Sequence, residues 1–251
     1  MGWMPRCPSF YLGLDLGKQR DYTALAIIEE SLWIGTEQAR WDCQVPTTGW
    51  VSPATIAPAH REKAKFASAR PTLPPLAVRH LERFPLGTKY PAIVERVTAL
   101  MASPPLAGDT ALVVDGTGVG APVTDLFRLA GRPPGSMPLA DVTITGGTSV
   151  GFDPDGDFRY TVPKRDLVSA LQALLQTDRL KIAQALPEAA TLVNELLSFE
   201  VTITEAANDR YEGRSGVHDD LVLAVAMPCW FRGWQQTHID AWHARHHANA
   251  R

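Results

Sequence analysis

Two apolar segments that each end in an aspartate limit most strongly what this chain can fold into. FYLGLDL reaches Asp15, and TALVVDG reaches Asp115. The second segment is apolar throughout and lies between helical patterns, which is typical of a strand that is buried on both sides. We therefore predict an α/β protein with a buried, partly parallel sheet that is flanked by helices.

Further strands are predicted around these two segments. YTALAIIEE forms a hairpin with the first strand through the polar turn GKQRD, and SVGFDPDGDFRYTV is predicted as a Gly/Asp-rich loop or hairpin. NDRYEGRSG is predicted as a polar loop. The remaining strand candidates are LAVRHLERF, ADVTITGG and FEVTITEA.

Helices are predicted where apolar residues recur every three or four positions. One spans Tyr90–Met101, a second follows the strand that ends at Asp115, a third has Pro163 in its first turn, and a fourth carries Leu192–Leu197. The last helix, VHDDLVLAVAMPCWFRGW, is apolar almost all round, which predicts that it is mostly buried.

Length and composition indicate one large domain with additions. The chain has 251 residues, of which 45% are hydrophobic, and this is enough for a sizeable core. Residues 1–9 are predicted to be a leader and residues 10–232 the domain. Within that domain, residues 31–76 are predicted to be an irregular insertion, since they are rich in Pro, Thr and Ala. Residues 233–251 are predicted to be a tail.

Charge, cysteines and apolar runs argue against several classes of protein. The net charge of −3 is not that of a typical nucleic-acid binder, so any binding of a polyanion must come from local patches. The three cysteines are far apart and form no CxxC pair, which predicts a reduced, cytoplasmic protein without structural zinc. The longest apolar run, LVLAVAMPCWF, is too short to span a bilayer, so no membrane insertion is expected.

Four carboxylates occupy positions that the predicted fold can bring together. Asp15 and Asp115 end strands, and Asp219 and Asp220 lie in the first turn of the last helix. Singly, such residues are common turn formers or complement a helix dipole. Together they converge if the two strands are neighbours and the helix packs on their sheet. Two carboxylates about 4 Å apart repel by roughly 4 kcal/mol at an effective dielectric constant of 20. Such a cluster needs protons or a cation, and oxygen ligands favour Mg²⁺ or Mn²⁺.

Five blocks of sequence together resemble the nuclease domain of phage terminase large subunits, which belong to the ribonuclease H-like superfamily. The blocks are GLDLGKQRDYTALAII, LERFPLGTKYPAIVERV, LVVDGTGVG, VPKRDLVSALQALLQTDRLKI and HDDLVLAVAM. The resemblance runs from about residue 10 to residue 232. It implies a ribonuclease H-like mixed β-sheet with helices on both faces, and an Mg/Mn-dependent endodeoxyribonuclease that hydrolyses phosphodiester bonds.

The same resemblance implies roles for individual residues. Two ions, Mg²⁺ or Mn²⁺, would act in the active state. Asp15 would bridge both ions, Asp115 would hold one side, and Asp219 or Asp220 would hold the other. The DNA backbone would be bound by basic residues near the acidic rim, namely Lys18, Arg20, Lys164, Arg165, Arg210 and Arg214.

The resemblance also implies partners. A terminase nuclease cuts concatemeric phage DNA during packaging, so the expected partners are double-stranded DNA, a small terminase subunit and a portal. The expected location is then the host cell cytoplasm. The chain has no GxxxxGK[ST] motif, because GTGVGAPV lacks the Lys–Ser/Thr ending. We therefore expect an ATPase motor on a separate chain, or a split or standalone nuclease.

Two other interpretations stay open at this point. Holliday-junction resolvases and transposase cores use the same carboxylate arrangement. Actins, sugar kinases and ATP-binding chaperones also open with a strand, an aspartate and a glycine turn, so that LDLGKQRDYTAL and VVDGTGVG would be their phosphate loops. A non-catalytic binding module of the same fold is not favoured, because all four acids are present.

Overall fold

The computed structural model describes residues 9–17, 21–34, 49–56, 61, 73–118, 120–153, 158–203, 209–213 and 218–248. Most of these residues belong to one eight-stranded sheet and to the helices on its two faces. In the described ranges, no helix is both long and apolar enough to cross a membrane.

The main sheet has the strand order β10-β5-β2-β1-β6-β7-β9-β8. Two shorter sheets pair β3 with β4 and β11 with β12. The strands are β1 (Phe10–Asp15), β2 (Ala24–Glu30), β3 (Leu32–Ile34), β4 (Gly49–Val51), β5 (Leu76–Arg83), β6 (Thr110–Asp115), β7 (Ala140–Thr145), β8 (Gly151–Asp153), β9 (Arg159–Pro163), β10 (Leu180–Ile182), β11 (Phe199–Ile203) and β12 (Asp209–Gly213).

The sheet is mixed in the way that the sequence predicts. β1 and β2 form an antiparallel hairpin, and β5 continues the antiparallel part. On its other side β1 is parallel to β6, and β7 and β9 follow in parallel. Strands β1 and β6, which carry the two strand-ending aspartates, are therefore direct neighbours at the centre.

Helices cover both faces of the sheet. They are α1 (Tyr90–Ala102), α2 (Gly120–Ala130), α3 (Lys164–Gln176), α4 (Ala189–Ser198) and α5 (Asp220–Ala248). Helices α1 and α2 pack on one face with side chains such as Leu12, Leu14 and Val114. Helices α3, α4 and α5 pack on the other face, with Tyr11 and Val113. The predicted α/β class with helices on both faces is confirmed.

Helix α5 approaches β1 unusually closely because of one glycine and one proline. A Cβ atom added to Gly13 would lie 1.9 Å from the Ala224 carbonyl oxygen and 2.5 Å from Cδ of Pro228. Pro228 lies inside α5 and has no N–H, so it cannot donate to the Ala224 carbonyl one turn earlier. Glycine on the strand leaves room for both groups, and the helix backbone rests directly on the sheet.

A buried ion pair joins the middle of α5 to β2. Arg232 donates from Nε and Nη2 to the two carboxylate oxygens of Glu30, at 2.8 and 2.7 Å. Both side chains are at least nine-tenths buried. Such a bidentate pair fixes the direction as well as the distance of the two groups.

Several local predictions are confirmed and one is wrong. The hairpin of β1 with β2 is confirmed, and of the loop or hairpin predicted for residues 149–162 the structure shows the hairpin, formed by β8 and β9. The prediction of a polar loop is wrong for residues 209–213, which form β12. Its backbone pairs with the preceding strand, β11, and the polarity of its side chains does not reveal this pairing.

Four further elements differ from the sequence interpretation or add to it. Strand β10 pairs with β5 at the sheet edge and is too short to give a periodic signal. Strands β3 and β4 lie within 31–76, where no regular structure is predicted, and they pair with each other. Helix α5 continues to Ala248 and so includes most of the predicted tail, 233–251.

Replacing Gly13 with alanine is expected to destabilise the protein by at least about 2 kcal/mol, since the added methyl group overlaps backbone and proline atoms of α5. The matched control is Gly233→Ala, because Gly233 lies in α5 and has no atom within 4 Å of an added Cβ. This control is expected to gain up to about 1 kcal/mol of helix propensity. Guanidinium unfolding measures both changes, and equal midpoints for Gly13→Ala and wild type would contradict the close contact.

Candidate metal centre

Asp15 and Asp115 lie side by side at the ends of two neighbouring strands. Leu14 of β1 is paired with Val114 of β6 in parallel register, so the next residues of the two strands reach the same level. Side chains alternate along a strand, and Gly13 faces α5. Asp15 and Asp115 therefore both point to the α5 side of the sheet.

The start of α5 completes the acidic cluster. Gly13 lies two residues before Asp15, and the contacting residue Ala224 lies about one helical turn after Asp220. The contact therefore places the first turn of α5 beside the strand ends. Charge repulsion from Asp115, Asp219 and Asp220 acts on Asp15. The structure thus brings the four acids predicted from the sequence to one rim of the sheet.

Burial and mutual repulsion make the two strand acids hold protons unusually tightly. Burial, and then the charges of Asp115, Asp220 and Asp219, raise the pKa of Asp15 well above its ordinary value. Burial also raises the pKa of Asp115, although hydrogen bonds from Thr117 oppose this. A side-chain hydrogen bond joins Asp15 to Asp115 and favours a proton on Asp15.

Thr117 fixes the Asp115 side chain. Its backbone N–H donates to Oδ1 of Asp115 at 2.8 Å, which closes a short turn after β6. Its hydroxyl oxygen accepts a hydrogen bond from the backbone N–H of Ile144 on β7, also at 2.8 Å. The turn that carries Asp115 is therefore tied to the next strand of the sheet.

Asp220 is buried and incompletely satisfied. Its side chain is 7% exposed, and its Oδ2 atom has no hydrogen-bond partner among the described residues. Nη2 of Arg83 lies 3.7 Å from this oxygen, and Nδ1 of His218 lies 3.8 Å from it. Burial raises the pKa of Asp220 to about 6, although His218 and Arg83 oppose this. A buried oxygen without a hydrogen-bond donor is suited to act as a ligand of a cation.

The predicted basic residues differ in where the structure places them. Nζ of Lys164 lies 2.7 Å from Oδ2 of Asp219, so this lysine is part of the acidic site. Arg165 instead donates to the carbonyl oxygen of Thr148 at 2.7 Å and lies 3.3 Å from Asp166. Arg210 belongs to β12. The other three predicted DNA-binding residues lie outside the described residues: Lys18, Arg20 and Arg214.

Two acids at the site were not predicted from the sequence. Oδ1 of Asp21 lies 3.7 Å from Nδ1 of His218, and the charge of Asp21 helps to raise the pKa of Asp220. Asp21 lies at the far end of the turn between β1 and β2, a position that hairpin closure alone could have indicated. Glu195 accepts hydrogen bonds from the first turn of α5. No local pattern distinguishes it from other helical glutamates.

The residues at this rim fit a hard divalent cation. The ligand atoms available from Asp15, Asp115, Asp219 and Asp220 are all carboxylate oxygens, which suit Mg²⁺ or Mn²⁺. Within the described ranges, no three His, Cys, Asp or Glu side chains are already arranged around one ion position. Mg²⁺ commonly takes only one or two protein carboxylates and completes its shell with water and substrate phosphate.

Large terminase nucleases share this fold. The large terminase nuclease from thermophilic phage G20c with bound magnesium has a TM-score of 0.53 and 18% sequence identity, over 88% of this chain and 80% of that chain. The same nuclease with bound cobalt gives the same values. A mutant nuclease domain of the large terminase subunit gp2 of bacterial virus Sf6, with manganese and beta-thujaplicinol, has a TM-score of 0.50 and 13% identity, over 89% of this chain and 88% of that chain.

This chain has the fold of a terminase nuclease domain. The predicted ribonuclease H-like sheet is thereby confirmed. No protein-family model and no curated protein matches the sequence. At these identities the similarity concerns the fold, so the chemistry of the site has to be argued from its own residues.

The stability of the metal-free protein is expected to fall as the pH rises from about 4 to about 7. Asp220 has a pKa of about 6 in the folded protein, against 3.8 ordinarily. In this window the native state therefore holds more protons than the unfolded chain, and stability decreases with pH. Asp220→Asn should remove on the order of 2 kcal/mol of this decrease, since one pKa unit corresponds to about 1.4 kcal/mol.

Urea unfolding in EDTA at several pH values measures this effect. Asp178→Asn is the matched control, because its side chain is 88% exposed and asparagine tolerates its positive φ of 55°. The control should keep the wild-type slope. If Asp220→Asn also keeps that slope, Asp220 is not the group that titrates.

Proposed function

We propose that this protein is a terminase-type endonuclease that hydrolyses phosphodiester bonds of double-stranded DNA with Mg²⁺ or Mn²⁺. The observation that carries the proposal is the acidic rim itself. Asp15 and Asp115 end neighbouring parallel strands, and the first turn of α5 adds Asp219 and Asp220 on the same side of the sheet. The similarity in fold to metal-bound terminase nucleases supports this proposal.

The energetics of the rim favour a role for a cation. A buried carboxylate that is surrounded by other carboxylates must be protonated or neutralised. Asp15 is 7% exposed and has three acidic neighbours, so cation binding would release its proton and relieve the repulsion. If the rim were purely structural, replacing these acids would stabilise the protein. A bound cation would also give the unsatisfied Oδ2 atom of Asp220 a partner.

The positions of the residues give each of them a different role in the proposed reaction. Asp115, Asp220 and Asp219 are the acidic neighbours of Asp15, so Asp15 would hold metal together with Asp115 and with Asp219 or Asp220. When bound, the ions would supply the charge that lowers the pKa of a water nucleophile and stabilises the leaving oxygen. Asp115 keeps its orientation through Thr117. His218 lies between Asp21 and Asp220, where it can hold a proton.

Among the predicted DNA-binding residues that the structure describes, Lys164 is the one that contacts the acidic rim. Its ammonium group lies 2.7 Å from Oδ2 of Asp219, and its side chain is 22% exposed to solvent. Once Asp219 binds a cation, the ammonium group is the nearest donor for a phosphate oxygen of the DNA backbone. Lys164 then positions the DNA strand without reading its sequence.

The biological setting that we propose follows from the terminase type of fold. The protein would cut concatemeric phage DNA during packaging, in the cytoplasm of the host cell. It would work with an ATPase motor, a small terminase subunit and a portal. DNA is the partner whose chemistry the rim itself supports, because the phosphate diester supplies the anionic oxygens that complete a two-metal site.

Plasmid cleavage tests the proposal directly. Wild-type protein is expected to nick or linearise plasmid DNA in Mn²⁺ or Mg²⁺ and to do nothing in EDTA. Asp15→Asn should lower the cleavage rate by at least about 1,000-fold, which corresponds to about 4 kcal/mol of barrier, while the protein stays folded. Asp178→Asn, an exposed aspartate on the surface, should cleave like wild type.

Other outcomes of that experiment point elsewhere. Wild-type-like turnover by a folded Asp15→Asn protein would refute the proposed site. Preference for branched junctions over linear duplex would indicate a resolvase. Tight ATP binding without any DNA cleavage would indicate an actin-like or sugar-kinase-like protein.

Binding measurements separate Lys164 from the metal ligands. In Ca²⁺, which commonly supports binding without cleavage, Lys164→Met should weaken the binding of a duplex oligonucleotide and lower the salt slope of binding by about one. Lys181→Met is the control, because Lys181 is half-exposed on β10 at the sheet edge and pairs with Asp178. Fluorescence anisotropy at several salt concentrations measures both variants. An unchanged salt slope in Lys164→Met would show that this lysine does not contact a phosphate.

A further inference from the structure

Among the described residues, no side chain directly before α5 caps its first turn. The first N–H groups of any α-helix lack partners within the helix and are usually satisfied by a Ser, Thr, Asp or Asn side chain just before it. Asp219 holds that position, and its backbone oxygen accepts from Leu223 N at 2.9 Å. Its side chain, however, is paired with Lys164 at 2.7 Å. The amide groups of the first turn therefore need an acceptor from elsewhere.

Glu195 of α4 supplies that acceptor. Its Oε2 atom accepts hydrogen bonds from the backbone N–H of Leu221 at 3.0 Å and of Val222 at 3.2 Å. Its negative charge also lies at the positive end of the α5 dipole. Because Glu195 caps the helix, the two aspartates at the helix start keep their carboxylates for the acidic rim.

Arg83 links this cap to the acidic rim. Its Nη2 atom forms an ion pair with Oε1 of Glu195 and lies 3.7 Å from Oδ2 of Asp220. The guanidinium group also lies over the ring of Tyr22, with 4.9 Å between its Cζ and the ring centroid. Arg83 is the last residue of β5. A single positive charge thus stands between two buried carboxylates and connects β5, α4 and α5.

Burying the Glu195 carboxylate costs free energy, which its hydrogen bonds and ion pair must offset. The side chain is only 4% exposed, and burial raises its pKa to about 7, although Arg83 and the two amide hydrogen bonds oppose this. A carboxylate that is buried without partners costs several kcal/mol. Glu195 is therefore tolerated at this point only because the helix start and Arg83 bind it.

We propose that Glu195, held by Arg83, is a positioning residue that fixes the first turn of α5 so that Asp219 and Asp220 face Asp15. This inference rests on the proposed function, since it assigns these acids to a metal site. Partners behind metal ligands typically change metal affinity 10–100-fold when removed. Glu195 acts through the helix backbone, and its carboxylate is bound to Leu221, Val222 and Arg83.

Two substitutions separate capping from charge. Glu195→Ala removes the acceptor, whereas Glu195→Gln keeps an oxygen for the two amides and loses only the charge that faces Arg83. Leu192→Val is the matched control, because Leu192 is fully buried on the same helix and makes none of these hydrogen bonds. If Glu195→Ala does not fold, Glu195→Asp, which withdraws the carboxylate by one methylene, takes its place.

Two measurements are made on each protein. The first is hydrogen exchange of the amides of Leu221 and Val222 without metal, and the second is the Kd for Mn²⁺ by electron paramagnetic resonance. Glu195→Ala should speed exchange at these two amides at least about 10-fold, with the rest of the sheet unchanged, and raise the Kd about 10-fold. Glu195→Gln should stay within about 3-fold of wild type in both measurements, and Leu192→Val should leave the Kd unchanged.

Two results would overturn the inference. One is uniform acceleration of exchange in Glu195→Ala, as global destabilisation by Leu192→Val would give. The other is an unchanged Kd in a Glu195→Ala protein whose first turn does open. If wild-type protein binds no Mn²⁺, the proposed function fails. The exchange measurement then decides alone whether Glu195 holds the first turn of α5.

Discussion

The close contact between the backbones of β1 and α5 at Gly13 sets the geometry on which the candidate site depends. It fixes the height of the helix on the sheet, because any side chain at Gly13 would meet the Ala224 carbonyl and the Pro228 ring. Asp15 lies two residues beyond this contact on the strand, and Asp220 lies one turn before it on the helix. A shift of one residue in either element would turn a carboxylate away from the rim.

The acidic rim is balanced by only a few positive groups. Lys164 neutralises Asp219, whereas Arg83 serves both Glu195 and Asp220. Among the described residues, no positive group lies comparably close to Asp15, and the charges that act on it are those of acids. The negative potential is therefore concentrated where the central strand ends. This explains how a chain with a net charge of only −3 can present a strongly cation-attracting site.

The sequence predicted the structure best where an apolar pattern is compatible with only one kind of element. Apolar segments ending in Asp15 and Asp115 predicted two buried strands, and the apolar character of α5 predicted its burial, which the structure confirms. The grouping of the four acids also followed from the expected pairing of β1 with β6. These inferences needed only local pattern and the rules of sheet packing.

The remaining features depend on contacts between separate helices, strands and loops. Glu195 caps a helix that begins 25 residues later, and Arg83 reaches it from β5. β12 is a strand because β11 lies beside it, although its residues are polar. The resemblance implied that Arg165 binds the DNA backbone, and the structure adds a hydrogen bond from Arg165 to the carbonyl of Thr148 that the sequence does not reveal. Partners of this kind cannot be read from spacing within one segment.

The buried pair of Glu30 and Arg232 has a consequence for how the site can open. It anchors α5 to β2 about 18 Å along the helix from Asp220, at 1.5 Å per residue. Between the two points, Gly13 holds the helix against the sheet. If the cap by Glu195 is released, local opening of α5 is therefore limited to its first turn, ahead of Ala224, while the rest of the helix stays attached to the sheet.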